Sequence, residues 1–173
     1  AELTAGGHVF ETDTDTEAVV HLVTDELDRG LEPAAAVKAA LGRLQGAFAL
    51  GIIFAGHDDL MIAARKGSPL AIGYGTGEVY LGSDAIALAP FTDTITYLDE
   101  GDWAVMAREG AQIFNAEGAK VLRPAVKSVA SSLLVDKGYH IYLTADHGNV
   151  ESTGVGRPSQ GVIAETRGER VRV

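Results

Sequence analysis

Cysteine is absent from this 173-residue chain, and that absence excludes several kinds of chemistry. Without a thiol, these residues form no disulfide, no thiolate zinc site and no cysteine nucleophile. Long hydrophobic runs are also absent, since none approaches the roughly 18 to 20 apolar residues that span a bilayer. The first ten residues, AELTAGGHVF, lack the charged-then-apolar order of a secretory signal. These absences predict a cytoplasmic protein with no membrane partner.

Positive charge is scarce in the first two thirds of the chain. Residues 1–109 contain 18 of the 24 Asp and Glu residues but only 6 of the 14 Lys and Arg residues. Their net charge is −12, whereas that of residues 110–173 is +2. Because phosphate backbones are bound by Lys and Arg, we predict no nucleic-acid partner. The acidic segment fits either a solvated face or a surface that binds a basic protein.

Two helices are predicted near the start of the chain, after a short extended lead. Thr14 and Glu17 have the spacing of a capping box, in which each side chain bonds the backbone N–H of the other residue. Gly30 provides a left-handed stop for this helix, and Pro33 marks the first turn of the next. Apolar residues recur at helical spacing in both segments.

From Gly46 onward, short apolar runs are separated by Gly, Asp and Ser residues. Seven of them are predicted strands: AFALGIIF, LMIAAR, LAIGYG, EVYLGS, TITYLD, DWAVMAR and AQIFNA. Hairpin-length links at residues 56–59 and 75–77 indicate an antiparallel meander. Helices segregated from an antiparallel sheet predict an α+β fold. We expect a domain over residues 1–116, a connector over 117–138 and a separate C-terminal segment over 139–173.

Six segments between about residues 2 and 138 have a specific order and spacing. They are ETDTDTEAVVHLV, LQGAFALGII, ARKGSPLAIGYG, GSDAIALAPFT, YLDEGDWAV and VKSVASSLLVDKG. Together they resemble the later part of the glutaminase (class II amidotransferase) domain of the glutamine–fructose-6-phosphate aminotransferase family. The resemblance implies a partial N-terminal-nucleophile hydrolase-like antiparallel sheet with two N-terminal helices, followed here by a short strand-loop tail.

The resemblance also bears on activity. The family uses an N-terminal cysteine as nucleophile, and its Cys-Gly-Ile, Arg-Trp-Ala-Thr-His-Gly and His-Asn-Gly segments have no counterpart in these residues. We therefore expect no catalytic residue and no cofactor. Asp15 is the one functional residue that carries over, at the position that holds the α-ammonium group of bound glutamine. The alternative is that Asp15 or Thr14 only caps the first helix.

The segment Arg65 to Pro69, within ARKGSPL, allows two interpretations. Two basic residues followed by Gly67 and Ser68 are typical of a phosphate-binding loop. In the family that this chain resembles, the segment is a structural turn between strands. We favour the turn, because Gly67 and Pro69 are common turn residues.

The last segment, HIYLTADHGNVESTGVGRPSQGVIAETRGERVRV, differs from the rest. It resembles the C-terminal region of PglZ-type proteins, alkaline-phosphatase-like metallohydrolases whose Thr-Ala-Asp-His-Gly-Asn loop supplies ligands to a two-metal site. The resemblance implies Asp146 and His147 as metal ligands, and both suit zinc or manganese. We expect no working metal site, because further ligands are needed and the other histidines are scattered: His8, His21, His57 and His140. The join near residues 137–140 implies a chimeric chain, recombined or designed.

Three functions follow as hypotheses. The first is a truncated, non-catalytic glutaminase-like protein that binds a partner through its acidic face or an exposed sheet edge. That partner would be a basic protein, such as a toxin or nuclease, or another copy of the chain. The second is a glutamine amidotransferase module of glucosamine 6-phosphate synthesis. The third is a metal-dependent phosphatase-like protein, which rests on Asp146 and His147 alone.

Overall fold

A computed structural model describes residues 2–128, 151–155 and 163–167 of the chain. In these ranges the helices are α1 (Glu2–Ala5), α2 (Asp15–Asp28), α3 (Pro33–Leu41) and α4 (Ala85–Leu88). The strands are β1 (Phe48–Ile53), β2 (Met61–Lys66), β3 (Ala71–Tyr74), β4 (Val79–Gly82), β5 (Thr94–Tyr97), β6 (Trp103–Ala107), β7 (Gly110–Phe114), β8 (Lys120–Val121), β9 (Ala125–Lys127), β10 (Glu151–Val155) and β11 (Ile163–Arg167). No helix within the described ranges has the length and apolar character needed to cross a membrane.

The predicted α+β class is confirmed, and all seven predicted strands form. The predicted meander is wrong, because the strands build two antiparallel sheets with the orders β1-β2-β6-β7-β8 and β4-β3-β5-β9. The chain leaves the first sheet after β2 and returns to it at β6, where Ala63 pairs with Ala104. β10 and β11 pair with each other as a hairpin.

The two predicted helices form where the sequence places them. Gly30 has a φ of +89°, and the N–H of Leu31 donates to the Glu26 carbonyl at 3.1 Å. This is the left-handed stop that ends α2. The lead was expected to be extended, but it contains the single turn of α1.

The first sheet separates two parts of the core. Side chains alternate along β2, so Ile62 and Ala64 pack against α2 and α3, while Ala63 packs toward the second sheet. Val37 of α3 and Ile72 of β3 are fully buried on these two sides. The resulting order of layers is helices, first sheet, second sheet, with α4 packed on the second sheet through Leu88.

Part of the segment expected to be a connector belongs to the two sheets. β8 pairs with β7, and β9 pairs with β5. Between them, Arg123 donates to both carboxylate oxygens of Asp102, at 2.8 and 2.9 Å. Asp102 is 1% exposed and also accepts the N–H of Asp99 at 2.8 Å. This buried ion pair ties the β8–β9 link to the turn that precedes β6.

Candidate functional site

Asp15 is the first residue of α2. Its side chain is exposed and forms no hydrogen bond or ion pair with the residues that the structure describes. The N-terminal turn of a helix favours negative charge, because its N–H groups lack intrahelical acceptors. Thr14 makes no side-chain capping bond either. Thr14 therefore occupies the N-cap position without a side-chain capping bond, and Asp15 contributes its charge to the first turn.

Asp15 lines a depression of about 650 Å³ beside the start of α2. The opposite wall comes from α1 and the lead, which contribute Thr4, His8, Val9 and Phe10. Of the residues that the structure describes, Asp13 is the other carboxylate in the lining, and no Lys or Arg takes part in it. The depression therefore combines an apolar wall with negative charge, which suits a small ligand that carries an ammonium group.

Glu17 holds the lead in place as the outer wall of the depression. Its carboxylate accepts the hydroxyl of Thr12 at 2.5 Å and the N–H groups of Glu11 and Thr12 at 2.7 and 2.8 Å. The bond from the Thr12 hydroxyl, followed by that from Glu11, lowers the pKa of Glu17 from 4.5 to about 2. The predicted capping box therefore does not form. The Glu17 carboxylate accepts the backbone N–H groups of Glu11 and Thr12 and not that of Thr14.

Two histidines fasten the same lead to α2. His8 Nε2 lies 2.9 Å from Asp25 Oδ1 of α2. His21 belongs to α2 itself, and its Nε2 lies 3.5 Å from Glu17 Oε1 of the same helix without a hydrogen bond to it. The two imidazole rings are 4.6 Å apart, and Phe10 packs edge-on against His21 at 4.7 Å. The expectation that the histidines are scattered is wrong for this pair. His8 and Phe10 are two positions apart in the lead, and both contact the His21 ring. This two-residue spacing is the sequence signal that these side chains share one side of an extended segment, and it was not used in the prediction.

The predicted metal ligands Asp146 and His147 lie outside the described residues, as does His140. Their assignment therefore stays a prediction. Within residues 2–128, 151–155 and 163–167, no group of three or more His, Asp or Glu side chains is arranged to hold a metal ion. His57 lies in the link between β1 and β2, the polar turn in which the sequence placed it.

Arg65 and Lys66 are the last residues of β2, and Gly67 to Pro69 form the structural link to β3 that was favoured. Gly67 has a φ of +71°, and a Cβ there would lie 2.7 Å from the Ala47 Cβ. Its N–H donates to the Glu100 carboxylate at 2.9 Å. Arg65 donates to the Leu98 carbonyl at 2.6 Å and to Glu100 at 3.2 Å. Glycine is thus required here by the backbone and by the neighbouring strand.

Comparison with known proteins identifies the family to which this arrangement belongs. The sequence profile described as a glutamine amidotransferase domain matches residues 1–90, just over half of the chain. The chain belongs to this glutamine amidotransferase family. This match confirms the predicted resemblance to a glutaminase domain over residues 1–90.

Two relatives are much longer than this chain. It is 61% identical over 144 residues to the glutamine–fructose-6-phosphate aminotransferase (isomerizing) of Bradyrhizobium diazoefficiens, covering 83% of the chain and 24% of the relative. It is 57% identical over 140 residues to the protein of the same name from Brucella abortus, covering 81% of the chain and 23% of the relative. The chain therefore spans about a quarter of the length of these relatives.

Two further comparisons bear on the fold and on the C-terminal segment. The glutamine phosphoribosylpyrophosphate amidotransferase of B. subtilis superposes with a TM-score of 0.54 at 27% identity, covering 66% of the chain and 25% of that chain. This confirms the partial N-terminal-nucleophile amidotransferase fold. A second aminotransferase of the same name from Bradyrhizobium diazoefficiens is 54% identical over 157 residues, or 91% of the chain and 26% of the relative. A match of that length extends past residue 138, into the segment for which the sequence predicts a separate origin.

Proposed function

We propose that these residues form the scaffold and part of the glutamine-binding surface of a glutaminase domain in a protein of the glutamine–fructose-6-phosphate aminotransferase kind. The observation that carries the proposal is the Asp15 carboxylate, which lies at the first turn of α2 and, among the described residues, has neither a partner nor a Lys or Arg in the depression that it lines. Such a carboxylate accepts the α-ammonium group of glutamine through charge-assisted hydrogen bonds. The relatives supply the substrate class, because their name specifies glutamine as a reactant.

The 173-residue chain by itself is proposed to be inactive as a glutaminase. Amide hydrolysis by covalent catalysis needs an activated nucleophile, and these residues contain no thiol. Release of ammonia from glutamine should not exceed that from a heat-denatured sample of the same protein. Ammonia release above that control, lost on removal of any one side chain, would contradict this part of the proposal.

Binding of the α-ammonium group is tested separately from hydrolysis. The ligands are L-glutamine and glutaramate, which has the same chain and amide but no amino group, and binding is followed by NMR titration. Asp15→Asn should weaken glutamine binding about tenfold, the loss typical of a charge-assisted hydrogen bond. It should leave glutaramate binding unchanged.

The matched control for that test is Asp28→Asn. Asp28 is an exposed carboxylate in the same helix, but it lies in the last turn and does not line the depression. The control removes the same charge, so any general electrostatic effect appears in both variants. Equal glutamine affinity in Asp15→Asn and in the unsubstituted chain would refute the role of Asp15.

A second candidate function is association through a sheet edge, which one observation favours. β1 is the end strand of the first sheet, and Ile53 at its end is 77% exposed. Exposed edges of this kind pair with other strands, and a charge placed on them blocks such pairing. Light scattering should report a dimer for the unsubstituted chain and a monomer for Ile53→Lys. Monomers in both cases would exclude this edge as the contact between copies.

The acidic segment supports a related function, in which this chain binds a basic protein instead of a second copy of itself. Residues 1–109 have a net charge of −12. Binding of a small basic protein such as a ribonuclease should then weaken steeply as salt is added, because exposed charges are screened beyond about 10 Å at 0.1 M. An affinity that does not change with salt would argue against an electrostatic partner.

The metal-dependent phosphatase hypothesis gains no support from the described residues. Its test is manganese-dependent hydrolysis of a phosphate ester that is lost in Asp146→Ala.

A further inference from the structure

The Thr12 hydroxyl lies at the centre of a hydrogen-bond network at the start of α2. It donates to the Glu17 carboxylate at 2.5 Å. Its oxygen lies 2.8 Å from the Thr14 hydroxyl and accepts the Thr14 N–H at 3.3 Å. Because the Thr12 proton is donated to Glu17, the Thr14 hydroxyl is the donor in the contact between the two hydroxyls. The Thr12 hydroxyl thus uses its one proton and both of its lone pairs within this network.

The same network fixes the turn that carries Asp15. The Thr14 hydroxyl is engaged by Thr12, on the side of the lead, and makes no capping bond to α2. The Thr14 carbonyl accepts the backbone N–H of Glu17 at 3.2 Å. The Glu17 carboxylate in turn accepts the N–H groups of Glu11 and Thr12 at 2.7 and 2.8 Å. Asp15 lies between Thr14 and Glu17 in the chain, so its backbone is held from both sides.

The opposite wall of the depression is fastened by other contacts. His8 Nε2 lies 2.9 Å from Asp25 Oδ1, and Phe10 packs edge-on against His21 at 4.7 Å. Neither of these contacts involves Glu17. Loss of the Glu17 carboxylate should therefore disturb the turn at the start of α2 and leave the wall formed by the lead in place.

We propose that Glu17 is a positioning residue that, through the Thr12 hydroxyl, holds the Asp15 carboxylate where it accepts the α-ammonium group of glutamine. Glu17 is not among the described residues that line the depression, so it acts through the turn and not on the ligand. A preformed acceptor binds more tightly than a mobile one, because binding does not have to order it. The inference rests on the function proposed above for Asp15.

Glu17→Gln tests the positioning role, because it keeps the shape of the side chain but replaces one accepting oxygen with an NH2 group. NMR titration should show glutamine bound about threefold more weakly, a smaller loss than that of Asp15→Asn, because the Asp15 charge is kept but less well placed. Glutaramate, which has no amino group, should bind equally well to the variant and to the unsubstituted chain. Unchanged glutamine affinity, or an equal loss for glutaramate, would overturn the proposal.

Glu26→Gln is the matched control. Glu26 is a carboxylate of the same helix with a side chain 12% exposed, compared with 15% for Glu17, and it pairs with Arg29 at 2.6 Å. The control removes the same charge and also breaks a contact of α2, so it should lower the urea midpoint without changing glutamine affinity. If it weakens glutamine binding as much as Glu17→Gln does, the loss is a general effect on the helix and the positioning role is refuted.

Substitutions of Thr12 test the route through its hydroxyl. Thr12→Val removes the hydroxyl from a side chain of the same shape and should weaken glutamine binding about threefold, whereas Thr12→Ser keeps the hydroxyl and should restore the affinity. Adding Glu17→Gln to Thr12→Val should cause little further loss, because both changes break the same network. Additive losses would show that the two side chains act separately and would contradict the proposal.

A measurement without ligand separates this inference from the proposed function. The backbone amide NMR signals of Thr14 and Asp15 should shift in Glu17→Gln and stay in place in Glu26→Gln. Unchanged signals in Glu17→Gln would overturn the positioning role whether or not glutamine binds. Shifted signals, together with normal glutamine binding by Asp15→Asn, would instead refute the function proposed for Asp15.

Discussion

The buried carboxylate of Asp102 gives the sharpest prediction about stability. Its side chain accepts three hydrogen bonds, two from Arg123 and one from the N–H of Asp99. Asp102→Ala removes all three hydrogen bonds, leaves the Asp99 N–H unpaired and separates Arg123 from its principal partner. Removal of one member of a buried ion pair costs about 3 to 5 kcal/mol.

The lower end of that range applies here. The Arg123 side chain is 23% exposed and keeps its contact with Asp99 at 3.0 Å, so its charge is not stranded in the core. We therefore expect Asp102→Ala to lower the free energy of unfolding by about 3 kcal/mol. For a chain of this size, such a loss lowers Tm by about 6 to 12 °C. Asp102→Asn should have a smaller effect, because its amide oxygen still accepts the Asp99 N–H.

Urea unfolding followed by Trp103 fluorescence measures this loss, since Trp103 is the next residue in the chain. Asp93→Ala is the control, because Asp93 pairs with Lys127 at 2.8 Å but is 57% exposed. Exposed ion pairs contribute little, so the midpoint for Asp93→Ala should lie close to that of the unsubstituted chain. If Asp102→Ala shifts the midpoint no more than Asp93→Ala does, the reasoning from burial is refuted.

Three further predictions concern single side chains. Gly30→Ala should lower the free energy of unfolding by about 1 kcal/mol, measured by thermal or urea unfolding, because a Cβ is strained at a φ of +89°. Its control, Gly42→Ala, has a helical φ of −63° and should be neutral or slightly stabilising. Equal effects of the two substitutions would contradict the account of the α2 stop. Gly73→Ala should cost about 1 to 3 kcal/mol, because its Cβ would lie 2.7 Å from Thr92 Cγ2 in a packed sheet, and an unchanged melting curve would contradict this. The pKa of Glu17 lies at about 2 rather than 4.5, so its stabilisation is complete above pH 4.5 and is lost as the pH falls toward 2. Glu17→Gln should flatten urea midpoints across that window, and a profile parallel to that of the unsubstituted chain would refute the role of the carboxylate.

Local elements were predictable because their signals are local. Gly30 and Pro33 mark helix ends through backbone conformations that few other residues adopt, and alternating apolar runs indicate strands. Pairing between strands was not predictable in this way. Ile62, Ala63 and Ala64 are all apolar and all buried, so the sequence of β2 does not show which face meets the helices or that β6 is its neighbour.

The candidate site was predictable only where a motif marks it. Asp15 is recognisable from the segment around it, but the wall opposite depends on the His8–His21 contact, which joins residues thirteen positions apart. The buried Nε1 of Trp103, which has no hydrogen-bond partner in the described part of the chain, had no local signal, because whether an indole N–H finds an acceptor depends on packing from distant parts of the chain.

The strand orders have a consequence for how this chain reaches its structure. β3, β4 and β5 belong to the second sheet yet lie between β2 and β6 in the chain, so neither sheet is one continuous segment. Closing such long loops before any favourable contact forms slows folding. A cut in the turn at residues 99–101 would leave β2 in one fragment and its neighbour β6 in the other. Neither fragment would complete the first sheet alone, and the native fold should be recovered only when both fragments are mixed.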